Sequence, residues 1–216
     1  MNDHSQLFRL LALLLDYPRA ELREESLGLH ALIRTCELPE ALRDGLAALL
    51  KTGCVRKMIC SFPRQADSHV FDALYRAGKL ELELVPQGNL AERIRAAGAG
   101  IGGFFTPTGY GTDLAKGKET REIDGRMYVF ESPIHADFAL IKAEQGDRWG
   151  NLTYRKTARN FGPIMAMAAK VSIASVHEVA ELGNIDPEHV ITPGLFVQRI
   201  VQVPRTATGP AGFKAA

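Results

Sequence analysis

Apolar residues recur at helical spacing through the first forty-odd positions: Leu7, Leu10, Leu11 and Leu14, then Leu29, Leu32 and Ile33. Charged residues fill the gaps, and Pro18 and Pro39 punctuate the run, so the spacing predicts two helices in a segment 1–44. From Val55 the pattern changes. VRKMICSF reads as a short strand, FDALYRAGKL as a helix closing on Gly78, LELELVP as a strand, and NLAERIRAA as a helix capped by Asn89. TREIDGRMYVFES predicts two strands around an Asp124-Gly125 turn. Beyond it, ADFALIKAEQ is a strand with a nearly continuous apolar centre, and IMAMAAK is a short helix opened by Pro163. VSIASVHEVAEL and FVQRIVQV complete the strands. Strands alternating with helices predict an α/β fold with an open, mostly parallel sheet flanked by helices. The domains expected are a helical segment 1–44, an α/β domain 45–203 and a loose tail 204–216 rich in Thr, Ala, Gly and Pro.

Composition narrows the function. Lys plus Arg total 26 against 25 for Asp plus Glu, and no long basic run offers the footprint of a nucleic-acid binder. With 46% hydrophobic residues spread over 216, the chain can bury a core. Cys36, Cys54 and Cys60 are odd in number and lack CxxC spacing, so they read as reduced thiols in the cytoplasm. The apolar run from Leu7 to Leu15 is broken by Arg9, ended by Asp16 and too short for a bilayer, so neither a signal peptide nor a membrane anchor is expected.

Among short motifs, Gly98, Gly100 and Gly103 fit GxGxxG, yet a dinucleotide site needs a strand before the glycines and a helix after them. Here the helix comes first. His177 to Glu181 stops one residue short of HExxH, and the histidines are scattered, so no metal site is expected. Tyr154 to Phe161 carries Arg155, Lys156 and Arg159 among aromatics, a solvated loop or an anion contact. The segment from Val85 to Asn89 is more informative, because a turn between a strand's carboxyl end and a helix start is where open α/β sheets bind ligands.

Longer strings carry a resemblance. VPQGNLAERIRAAGAGIGGFFTPTGYGT, GKETREIDGRMYVFE, ADFALIKA, GNLTYRKTARNF and ITPGLFVQRIV resemble, in order, the A subunit of the two-subunit CoA-transferases of 3-oxo acids. The likeness runs from about Gly45 to Gln202. CSFPRQADSHVFDALYRAGKLELELVPQG and GDRWGNLTYRKTARNFGPIMAMAAK are closer to the 3-oxoadipate branch than to the acetoacetate branch. The resemblance implies transfer of CoA from succinyl-CoA to 3-oxoadipate, a step of aromatic catabolism in the β-ketoadipate pathway, with the CoA thioester as substrate and no cofactor. It also implies a hetero-oligomer, because no Ser-Glu-Asn-Gly string occurs here and the family's nucleophilic glutamate belongs to its B subunit. By its place in VPQG, Gln87 would orient the thioester carbonyl or donate to the developing oxyanion. Gly88, Gly100 and Gly102 would let backbone approach the ligand, and Arg64 would read the distal carboxylate of a dianionic acid.

One departure stands out. The family opens with a strand and a Gly-Gly-Phe turn that contacts CoA, whereas the only Gly-Gly-Phe here is Gly102 to Phe104, in a later loop. In its place LFRLLALLLDYPRAEL faintly resembles the opening helix of the chaperones that mature respiratory nitrate reductase. The alternative is therefore a non-catalytic chimera whose N-terminal helices bind a peptide or a protein.

Overall fold

The computed structural model of the protein describes residues 10–12, 46–63 and 69–203. In chain order its first elements are β1 (Leu10–Ala12), α1 (Leu46–Lys51), β2 (Lys57–Cys60), α2 (His69–Arg76), β3 (Glu81–Leu84) and α3 (Gln87–Gly98). Then come β4 (Phe104–Thr106), β5 (Thr120–Ile123), β6 (Arg126–Glu131), β7 (Ala136–Asp147), β8 (Leu152–Thr153), α4 (Ala158–Ala168), β9 (Ala169–Ala180) and β10 (Arg199–Gln202). Residues 45–203, expected from sequence to be one domain, carry two compact units, and the chain passes from one to the other between His135 and Ala136.

In the unit from Leu46 to His135, β2 and β3 pair in parallel, with Lys57 opposite Glu81 and Cys60 opposite Leu84. Leu50, Phe71 and Leu80 form a buried cluster against which Val55, Met58, Val70, Leu74 and Leu82 pack, so α1 and α2 cover this small sheet. β4, β6 and β5 form an antiparallel sheet in that order. The hairpin turn falls at Asp124-Gly125 as expected, with φ of 50° and 74° that suit an Asp-Gly pair. A β-carbon on Gly103 would overlap the Phe130 ring, which explains why a glycine precedes β4.

In the other unit β1, β7, β9 and β10 lie side by side, all pairings parallel, and β8 adds antiparallel to β7. Ala139, Ile141, Ala143, Ile173, Ala174 and Val176 are buried, the continuous apolar character that a parallel sheet covered on its faces requires. Ser172, fully buried, donates to the Ala166 carbonyl at 2.9 Å and so joins β9 to α4.

Three expectations are corrected. Leu10–Ala12, placed in a helix by spacing, are extended and pair in parallel with Phe138–Leu140; three apolar residues in succession fit a strand of a parallel sheet as well as a helical stripe. The other residues of the two expected helices, and the tail from Pro204, lie outside the described residues. Asn89 is not a cap: α3 begins two residues earlier, with Pro86 at its N-cap, and Asn89 is buried in the first turn. Pro163 does not open α4 but sits inside it, five residues after its start. No helix among the described residues is long and apolar enough to cross a membrane.

Candidate functional site

The carboxyl ends of β2 and β3 lie together, joined by the Val85 N–H donating to the Cys60 carbonyl at 3.0 Å. From that end one strand leads through Ser61, Phe62 and Pro63, and the other through Val85 and Pro86 directly into α3. Phe62 is exposed for so large an apolar side chain, at 67%. Gln87 and Gly88 are the first two residues of α3, both exposed, and nothing lies within 4 Å of the position a β-carbon on Gly88 would take. The first N–H groups of a helix have no acceptor within it, and Leu90 closes the first turn by donating to the Pro86 carbonyl at 2.9 Å. The result is an exposed amide side chain beside free N–H groups at the positive end of a 12-residue helix.

Beneath that turn lies a buried polar network that sequence reasoning missed. Asn89 donates through Nδ2 to Glu131 Oε1 at 3.2 Å and to the Thr108 carbonyl at 3.3 Å. Lys118 Nζ lies 2.8 Å from the same Glu131 oxygen, and Arg93 Nε lies 3.7 Å from the other. Arg93 also donates to the Ser132 carbonyl and to Glu83 Oε1, each at 2.7 Å, while Lys57 holds Glu83 Oε2 at 2.6 Å. Three cations and two carboxylates thus alternate from Lys118 to Lys57. Burial pushes the Glu83 carboxyl up, but hydrogen bonds from Lys57 and Arg93 outweigh it and hold the group below its ordinary range. A signal was present: Asn89 and Arg93 share the helical phase of buried Ala96 and Ala97, and Glu131 continues the inward alternation of Val129. Polar residues in apolar phase mark a network.

Of the site residues expected from sequence, Gln87 and Gly88 fall together. Gly100 and Gly102 do not join them, because they follow the far end of α3, about 18 Å along the axis at 1.5 Å per residue. There Gly100 takes φ +70°, with its N–H bonded to the Ala97 carbonyl and that of Ile101 to the Ala96 carbonyl, a Schellman ending. Arg64 lies outside the described residues.

The remaining motifs settle differently. The glycines from Gly98 to Gly103 follow a helix and precede a strand, the reverse of a dinucleotide-binding turn. His177 and Glu178 are on β9, where the ring meets the Val203 carbonyl and the carboxylate accepts from Gln145, and no metal-binding group occurs among the described residues. The cationic run is part loop and part helix: Arg155 and Lys156 precede α4 and Arg159 is in its first turn, all exposed. Tyr154, by contrast, is half-buried against Gly162, and burial pushes its phenol up to about 12 despite the 2.7 Å bond with Thr192. The Cys60 thiol, also pushed up by burial, is a poor nucleophile.

Known proteins match both sequence and fold. The chain is 79% identical over 159 residues to the A subunit of 3-oxoadipate CoA-transferase of Pseudomonas putida, covering 74% of this chain and 69% of that one. It is 70% identical over 167 residues to the protein of the same name from Acinetobacter baylyi, covering 77% and 73%. In fold it resembles an acyl-CoA transferase apoenzyme from Escherichia coli O157:H7, with a TM-score of 0.72 at 19% identity, over 97% of this chain and 46% of that one. Glutaconate coenzyme A-transferase from Acidaminococcus fermentans gives a TM-score of 0.63 at 21% identity, over 72% and 58%. The sequence model of the coenzyme A transferase family matches residues 21–203, beginning inside the N-terminal segment that was expected to depart from it. Spanning most of the chain, that match shows that it belongs to the coenzyme A transferase family.

Proposed function

We propose that the chain is the A subunit of a CoA-transferase that moves CoA from succinyl-CoA to a 3-oxo acid, foremost 3-oxoadipate, in aromatic catabolism in the cytoplasm. The observation that supports it most is the identity of 79% over 159 residues to the Pseudomonas putida protein. A partner B subunit supplies the nucleophile. Its glutamate carboxylate attacks the thioester carbonyl, giving a succinyl-glutamyl anhydride and CoA thiolate. The thiolate attacks the glutamyl carbonyl and expels succinate, leaving a glutamyl-CoA thioester. The acceptor carboxylate repeats the sequence in reverse and leaves as 3-oxoadipyl-CoA. Each attack puts negative charge on a carbonyl oxygen, and the Gln87 amide beside the free N–H groups of α3 is suited to stabilise it.

Acceptor choice belongs to Arg64 in this reading. 3-Oxoadipate keeps one carboxylate free while the other exchanges CoA, and a guanidinium can grip that planar anion with two bonds; acetoacetate has no such group. With the B subunit present and succinyl-CoA saturating, Arg64→Met should cost 3-oxoadipate about tenfold or more in kcat/KM and acetoacetate much less. Equal losses for both acceptors would remove Arg64 from substrate recognition, and no transfer to either acceptor by the intact wild-type complex would remove the proposed reaction.

A further inference from the structure

The first turn of α3 is poorly held by its own sequence. Pro86 at the N-cap makes no side-chain bond to the helix, and Gly88 adds a residue of low helix propensity in the first turn. Such an end frays unless something else fixes it. Here the fixing comes from below. Glu131, 3% exposed, accepts from Asn89 in the turn and from Lys118 across the loop, while Asn89 spends its second contact on the Thr108 carbonyl. One carboxylate at the end of β6 therefore joins two segments separated in sequence, the turn carrying Gln87 and the loop from Thr108 to Lys118.

We propose that Glu131 is a positioning residue: through Asn89 it fixes the first turn of α3 so that the Gln87 amide and the helix N–H groups meet the developing oxyanion without reorganising. This rests on the role of Gln87 under the proposed function. Preorganised donors stabilise a transition state because they need not turn toward the charge as it forms, so a loosened turn costs rate more than ground-state binding. Lys118 and Arg93 neutralise the carboxylate, which keeps a bare negative charge away from the oxyanion.

A double-mutant cycle in the complex with the B subunit separates positioning from bulk stability. Glu131→Gln should lower kcat about tenfold while leaving KM for succinyl-CoA within about twofold. In a Gln87→Ala background the same substitution should cost distinctly less, about threefold or under, because only the helix N–H groups are left to position. An equal loss in both backgrounds, or a change confined to KM, would overturn the inference and make Glu131 a structural group. If Glu131→Gln does not assemble, Asn89→Ser, which cuts the turn from the network and leaves Glu131 with Lys118, is read by the same cycle with the same criteria. Should Gln87→Ala alone leave kcat unchanged, the reading of Gln87 fails first and the inference falls with it.

Discussion

At the scale of single residues, the start of α3 pairs the exposed amide of Gln87 with a buried polar network under Asn89. Gln87→Ala should lower kcat of the assembled enzyme by about 10², the usual cost of losing one oxyanion donor, with melting temperature unchanged because the side chain is exposed. An unaltered kcat would make Gln87 an ordinary turn residue. Glu83 makes a prediction about pH. Its pKa is depressed in the folded chain, so its pairs with Lys57 and Arg93 stabilise the fold fully above the ordinary value of 4.5 and lose that effect as pH falls through the lower folded value. Denaturation followed from neutral pH into the acid range should show Glu83→Gln less sensitive to acid than the parent. An identical slope in both would mean that the pairs are screened by solvent and contribute nothing.

At the scale of elements, periodicity located β2, β3, β5, β6, β7, β9 and β10 but missed β4 and β8, whose three and two residues are too short to show an alternation. Asp124-Gly125 was legible because two successive positive φ angles demand that chemistry. The start of α3 was not, because Asn89 is a favoured cap by type, whereas its side chain is spent on the tertiary contacts to Glu131 and the Thr108 carbonyl. Pro163 misled in the same way: Phe161, Gly162 and Met165 are buried, and that packing carries α4 through the proline. Leu10–Ala12 show the limit of spacing, since three apolar residues satisfy a helical stripe and a parallel strand alike. Gly103 joins α3 to β4 where the Phe130 ring leaves no room for a β-carbon. Gly103→Ala should lower stability by about 1–3 kcal/mol, read as an earlier urea midpoint with unchanged slope. A midpoint equal to the parent's would mean that the ring moves aside freely.

At the scale of the whole molecule, the family was legible because long strings fall in order, and the match of residues 21–203 extends it into the N-terminal segment. Under the proposed function the nucleophile is a glutamate of the partner B subunit. In this chain the Cys60 thiol is pushed up by burial, Glu83 is bound by two cations, and Glu131 by two cations and an amide. In that reading the covalent step belongs to the partner. The most direct test is to incubate the complex with succinyl-CoA alone, trap it, and weigh the two chains separately. A CoA thioester on the B subunit with this chain unmodified is the predicted result; an adduct on this chain, or turnover by this chain without its partner, would contradict the account.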